Sequence, residues 1–101
     1  MFSDDIRDAE TRLDEALSEL KRLTIEAAEA GRRYRHARAR AWVSSDASTV
    51  KQREMDTEMS TVEERYEWEL AEGLRVAQLE TVRAYKQILS AKQTVANLPI
   101  D

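Results

Sequence analysis

The sequence contains no cysteine, one proline, two glycines and one histidine in 101 residues. With so little to interrupt the backbone, its regular elements are expected to be long. A single histidine without cysteine excludes the usual zinc-binding sets, and no cofactor is predicted. No run of about 18 apolar residues occurs, so no membrane-spanning segment is predicted. The acidic start, where a signal peptide would be basic, makes the cytoplasm the expected location.

The residues that are present favour helix. Alanine, glutamate, leucine and arginine dominate, and 36% of residues are charged, a composition typical of coiled coils and long helices. The hydrophobic content of 42% is too high for a disordered chain. We therefore expect a single all-α domain over residues 1–101.

The first half of the chain carries one strict apolar seam. Its residues are spaced alternately by three and four, as in a coiled coil, which predicts a helix over about 4–43. The seam comprises Ile6, Ala9, Leu13, Ala16, Leu20, Leu23, Ala27, Ala30, Tyr34, Ala37 and Ala41. Because this register passes Gly31 unbroken, Gly31 is interpreted as lying inside the helix. The polar residues 44–48 predict a turn.

A second helix is predicted over about 49–97, starting at a capping box formed by Thr49 and Gln52. Its most regular apolar spacing predicts a second seam, the partner of the first. That seam comprises Met55, Met59, Val62, Tyr66, Leu70, Leu74, Ala77, Thr81, Ala84, Ile88, Ala91, Val95 and Leu98. Three successive spacings of four between Val62 and Leu74 form a stutter beside Gly73. The fold is thus a long antiparallel hairpin, or a three-helix bundle if the helix breaks at 71–74.

The second helix also carries a further apolar face, which one hairpin partner cannot cover. The residues of this face are Trp68, Leu79, Val82, Tyr85 and Leu89. We interpret them as the candidate protein interface, since tryptophan is enriched at binding hot spots. Lateral packing within the fold is the alternative for Trp68. Self-association into a homo-oligomer is the favoured way to cover this face.

Charge is distributed in blocks that favour an antiparallel order. Residues 1–30 carry a net charge of −5, residues 31–43 carry +5, residues 51–72 carry −5 and residues 73–98 carry +3. Folding the chain back at residue 46 brings each block opposite its complement. Arg33, Arg38 and Arg40 flank the seam and are expected to form cross-helix ion pairs.

The basic tract of residues 32–40 admits two interpretations. The first is that the acidic second helix neutralises it. The second is that its outward arginines contact nucleic-acid phosphates, for which Arg32, Arg35 and Arg38 are the candidates. The net charge of −4 for the whole chain leans against a general nucleic-acid binder.

No pattern in the sequence predicts catalysis. The acidic stretch of residues 63–72 is interpreted as a solvated or arginine-paired face, because a helical hairpin offers no cleft to shift carboxyl pKa values. His36 is interpreted as a surface residue. The phosphate-binding glycine loop, the nucleophile elbow and the Glu-x-x-His pairs of di-iron bundles are all absent from the sequence. We expect a protein that is not an enzyme and that has no catalytic or metal site.

Residues 34–41, Tyr-Arg-His-Ala-Arg-Ala-Arg-Ala, precede a short polar turn, Arg53 and an acidic helix through Leu70-Ala71-Glu72. This order resembles small helical early-region proteins of actinobacterial phages, and residues 89–93 resemble their closing segment. The resemblance covers about two-thirds of the chain and implies a non-structural phage protein, encoded among replication and recombination functions. It carries over no catalytic residue.

Trp42 at the bend of a hairpin of this length is similar to the W-x-G helical hairpins of type VII secretion. Two features depart from that pattern. Ser44 stands where the glycine belongs, and Leu89 stands where the acidic residue four positions after Tyr85 is expected.

Together these features predict a phage accessory protein that binds another protein through a helix face. The expected target is a host or phage replication or recombination factor, such as an AAA+ ATPase, by analogy with small helical adaptors. Nucleic-acid binding through the basic tract is the first alternative. A self-assembling structural coiled coil is the second.

Overall fold

The computed structural model describes residues 2–99 and is a rod of 81 × 19 × 13 Å. Helix α1 spans Phe2–Ser44, α2 spans Val50–Ser60 and α3 spans Val62–Ala96. Helices α2 and α3 follow one another along α1, so the protein is an all-α hairpin whose second arm is interrupted once. The predicted fold class is confirmed. No helix in residues 2–99 is both long and apolar enough to cross a membrane.

Three contacts along the rod show that its two arms are antiparallel. Ser45 Oγ donates a hydrogen bond to Asp56 Oδ2 at 3.0 Å, beside the turn. Farther along, the rings of Tyr34 and Trp68 stack with their centroids 5.4 Å apart. Gln78 Nε2 donates to the carbonyl oxygen of Ala16 at 3.0 Å. Residue numbers thus fall along α1 as they rise along the second arm, which brings the complementary charge blocks opposite one another.

The core lies on the predicted seam of α1. Five alanines and one leucine of that seam are buried, namely Ala9, Ala16, Leu23, Ala27, Ala30 and Ala37. Small side chains allow the opposing helix to approach closely, and α1 runs through Gly31 without a break, as predicted.

The seam predicted for the second arm is wrong. Its large residues are exposed, from Met55 to Leu98, whereas the buried residues of that arm are Thr57, Thr61 and Val82. Helix α1 covers only one face of the second arm. That face is the one bearing Trp68 and Val82, whose larger side chains occupy the space left by the small seam of α1.

The interruption of the second arm lies at Thr61 and not near Gly73. The Thr61 hydroxyl donates to the Thr57 carbonyl at 2.7 Å, and the Thr61 N–H bonds instead to the Glu58 carbonyl at 3.4 Å. Such competition between a hydroxyl and the backbone slightly destabilises a helix and often bends it. Thr61 accordingly has φ −119° and ψ 19°. Gly73 lies inside α3, because a glycine in a helix interior costs only about 1 kcal/mol relative to alanine.

The turn is held by side chains on both of its sides. Arg53 Nη1 donates to the Trp42 carbonyl at 2.5 Å, and the Arg53 guanidinium lies 5.6 Å from the centroid of the Trp42 ring. The Thr49 hydroxyl accepts from the Gln52 N–H at 3.1 Å, so Thr49 is the N-cap, as predicted. The Gln52 side chain bonds to Asp56, so only half of the capping box forms. At the other end, Asn97 caps α3, close to the end predicted for the second helix.

The predicted cross-helix ion pairs are not formed. Within residues 2–99, every ion pair joins residues three or four apart on one helix, as Arg22 does with Glu19 and Glu26. An exposed ion pair contributes at most about 1 kcal/mol, so little free energy favours bringing Arg33, Arg38 or Arg40 to a carboxylate of the other helix. The charge blocks oppose one another without direct contacts between charged groups.

Candidate protein-interaction surface

A continuous row of exposed apolar residues runs along α2 and α3, and we call it the outer stripe. Its members are the residues that the sequence assigned to the second seam. They are Met55, Met59, Val62, Tyr66, Leu70, Leu74, Ala77, Thr81, Ala84, Ile88, Ala91, Val95 and Leu98, all of them exposed. The exposed fraction reaches 74% at Met59 and 61% at Tyr66. Monomeric proteins rarely leave such long apolar rows uncovered.

The outer stripe lies almost opposite the face that packs on α1. At about 100° per residue, its members cluster roughly 150° around α3 from Val82. On one side it slopes toward α1, where Leu70, Ala71 and Leu74 line a groove with Ala30. Charged residues rim this groove, with Glu67 on α3 and Glu26, Glu29 and Arg33 on α1. No other segment of residues 2–99 covers the stripe.

The predicted interface residues lie on the inner face, toward α1. Val82 is 2% exposed, and Trp68, Leu79, Tyr85 and Leu89 are half-buried. These side chains pack against α1 within the hairpin. They do not form the exposed face that the sequence predicted. A signal for the true arrangement was present. The alanine-rich seam of α1, with its glycine, leaves space that a tryptophan can fill. Of the two apolar faces of the second arm, only the inner one carries a tryptophan.

Trp68 is the largest inner side chain and fits against α1. Its ring stacks on Tyr34 at an interplanar angle of 17°. A methyl group added at Gly31 would lie 3.0 Å from Trp68 Nε1, so the absence of a side chain there gives the ring its room. Beside it, Arg75 donates hydrogen bonds to Glu72 and holds the pKa of Glu72 below its ordinary value. The arrangement is a packing site rather than a reactive one.

The basic tract is a second exposed feature. None of its five arginines belongs to an ion pair in the part of the chain that the structure describes. Arg32 and Arg35 are exposed, and Arg38 is half-buried with its Nη1 3.4 Å from the Tyr34 hydroxyl. Arg35 also approaches Gly31 beside the Trp68 ring. The neutralisation expected from the sequence therefore does not occur through direct contacts.

A polar groove lies at the turn end of the rod. It is lined by residues that include Arg40, Asp56, Ser60 and Glu64. Oε2 of Glu64 is buried and has no hydrogen-bond partner. In residues 2–99 no group of three or more histidine, cysteine, aspartate or glutamate side chains is arranged to hold a metal ion. His36 is exposed. The two candidate surfaces in the described residues are thus the exposed apolar outer stripe and the basic tract with its unpaired arginines.

Comparison of the chain with protein-family models, with curated proteins and with solved structures gives no match.

Proposed function

We propose that this protein is a non-enzymatic interaction module that binds a protein partner through the outer stripe. The observation that carries the proposal is the unpartnered row of large apolar side chains between Met55 and Leu98. An amphipathic helix face of this kind binds a complementary groove or helix, with anchors spaced by three and four residues. Methionine and tyrosine, both present in the stripe, are enriched in the cores of protein interfaces.

The proposed biological setting comes from the sequence resemblance. We place the protein among phage accessory proteins that act in the host cytoplasm, with a replication or recombination factor such as an AAA+ ATPase as its target. The outer stripe supports the interaction part of this proposal, since a small helical adaptor needs a free helix face to engage a larger partner.

Capture experiments test the proposal directly. Immobilised wild-type protein is compared with a Leu70→Glu, Ile88→Glu double variant, whose two sites are 50% and 45% exposed. Partner binding is expected to weaken tenfold or more. A tenfold loss of affinity corresponds to about 1.4 kcal/mol of binding free energy, and the loss of one buried anchor residue costs about 2 kcal/mol or more. Retention is measured by quantitative mass spectrometry of proteins captured from the host lysate.

Ile25→Glu is the matched control, because Ile25 is 51% exposed on α1, away from the hairpin seam. Circular dichroism checks that all variants keep their helices. If the double variant retains the same proteins as the wild type, or if Ile25→Glu loses them equally, the outer stripe is not the binding surface.

A second candidate function is nucleic-acid binding by the basic tract. The observation that favours it is that the arginines of residues 32–40 lack carboxylate partners within residues 2–99. Their positive charge is therefore available to phosphate oxygens.

An Arg32→Glu, Arg35→Glu variant tests this second candidate. Wild-type protein is expected to bind a labelled DNA duplex at low salt, with affinity falling by a log–log slope of about −0.9 for each phosphate neutralised. The variant is expected to lose this binding, as measured by fluorescence anisotropy. The control is Arg7→Glu with Arg12→Glu, which makes the same charge change on the same helix. Equal loss in the control, or no wild-type binding at low salt, would remove the candidate.

A further inference from the structure

The midpoint of the outer stripe lies halfway between Met55 and Leu98. Near that midpoint the residues closest to the centre line of the stripe are small, with Gly73, Ala77 and Ala84 all exposed, whereas the large Leu74 lies at the edge of the stripe and lines the groove toward α1. Toward both ends the residues become large. The large residues before the centre are Met55, Met59, Val62, Tyr66, Leu70 and Leu74, and those after it are Ile88, Val95 and Leu98, with the small Ala91 between Ile88 and Val95.

This order of small and large residues matches the needs of two crossing helices. Helix axes lie closest at the crossing point, where small side chains are required, and diverge beyond it, where larger side chains fill the gap. A second copy of the same helix, running antiparallel about Ala77, places its own small central residues at the same crossing point. Ala77 would then meet Ala77 of the second copy, and Tyr66 would lie near Ile88 of the second copy.

Charge selects the antiparallel order over the parallel one. Residues 51–72 carry a net charge of −5 and residues 73–98 carry +3. An antiparallel pair brings these segments together, whereas a parallel pair would oppose −5 to −5. At the rim of the stripe, Glu63 of one copy would lie beside Lys92 of the other, and the two-fold axis repeats this pair.

The length of the stripe is sufficient for a stable pair. From Met55 to Leu98 it extends for roughly 65 Å at about 1.5 Å per residue. From Leu74 to Leu98 the spacing alternates between three and four without interruption over roughly three and a half heptads, and apolar spacing sustained over three or four heptads already indicates a coiled coil.

We propose that the occupant of the outer stripe is a second copy of this chain, forming a two-fold dimer through antiparallel α3 helices with Ala77 at the axis. This inference rests on the proposed function, since it takes the outer stripe as the interaction surface. The second copy covers the stripe in the free protein, and an outside partner binds in its place. The apolar residues of the stripe are then buried between the two hairpins.

Cysteine cross-linking tests both the dimer and its orientation, because the natural sequence contains no cysteine. Under mild oxidation, Ala77→Cys is expected to give a disulfide-linked dimer, since the two sulfurs meet at the axis. Met59→Cys alone is expected to remain unlinked, whereas its mixture with Val95→Cys forms a cross-linked pair. Ile25→Cys, on an exposed site of α1, measures links that arise from random collision. Light scattering of the unmodified chain is expected to give twice the monomer mass.

The possible outcomes separate this dimer from the broader proposal. A monomeric mass at about 0.1 mM, or Met59→Cys that links to itself as readily as Ala77→Cys, overturns the antiparallel dimer. If the chain is monomeric and the Leu70→Glu, Ile88→Glu variant still loses captured proteins, the dimer fails and the proposed function stands. If the dimer cross-links as expected but the double variant keeps every captured protein, the dimer stands and only binding of an outside protein through the stripe fails.

Discussion

Val82→Asp is expected to unfold the hairpin or to lower its melting temperature by roughly 15 °C or more. Val82 is 2% exposed at the centre of the contact between α1 and α3. A carboxylate placed there is buried without a partner, which costs several kcal/mol, about 3 kcal/mol or more after relaxation. Each kcal/mol shifts the melting temperature of a domain of this size by about 4–8 °C. Thermal melts followed by circular dichroism at 222 nm measure the change.

Ile88→Asp is the matched control on the other face of α3. It also replaces a β-branched residue by aspartate, but Ile88 belongs to the outer stripe and is exposed in the hairpin. We expect its effect on the monomer to stay within about 0.5 kcal/mol, as for other surface substitutions. Both variants are melted at a dilution where light scattering gives the monomer mass. Reversed results, with Ile88→Asp unfolded and Val82→Asp unaffected, would mean that the seam predicted from the sequence is the one that packs.

The contrast between Val82 and Ile88 shows that apolar spacing predicts the packed face correctly in α1 but not in the second arm. In α1 the strict spacing of three and four follows a single apolar face, and the predicted seam from Ile6 to Ala41 is the one that the second arm covers. Periodicity was sufficient there because α1 offers no competing face of the same regularity.

The second arm has two apolar faces, and the more regular of them points outward. Periodicity measures how apolar residues are spaced, but it does not say whether the same chain covers them. The sequence therefore identifies the residues of the outer stripe as one apolar row but wrongly predicts that they pack against α1. Side-chain volume was the better guide, because the alanine-rich seam of α1 with Gly31 requires large residues such as Trp68 opposite it.

The position of the helix break is a further difference between prediction and structure. Gly73 suggested a break because glycine weakens helices, but an exposed interior glycine is tolerated within a long helix. At the break, the Thr61 hydroxyl takes the Thr57 carbonyl from the backbone, but Thr11, Thr24, Thr81 and Thr94 form the same bond inside unbroken helices. Threonine forms this bond in many helices without ending them, so composition alone does not reveal it.

Trp68→Ala is expected to destabilise the hairpin by about 3 kcal/mol, near the lower end for loss of a large aromatic residue from a core. The ring stacks on Tyr34 and lies against Gly31. The neighbouring seam residues of α1 are Ala30 and Ala37, which are too small to fill the space left by the indole. Chemical unfolding in urea, followed by circular dichroism, gives the free energy of unfolding for comparison with the wild type.

Trp42→Ala is the control for loss of an indole elsewhere on the hairpin. Trp42 lies at the turn, exposed, with Arg53 against its ring. A cation–π contact at such a site contributes about 0.5–1 kcal/mol, so this variant is expected to lose much less stability than Trp68→Ala. Trp68→Phe keeps an aromatic ring for stacking on Tyr34 and is expected to recover more than half of the loss. Equal destabilisation by the two alanine variants would contradict the placement of Trp68 on the inner face.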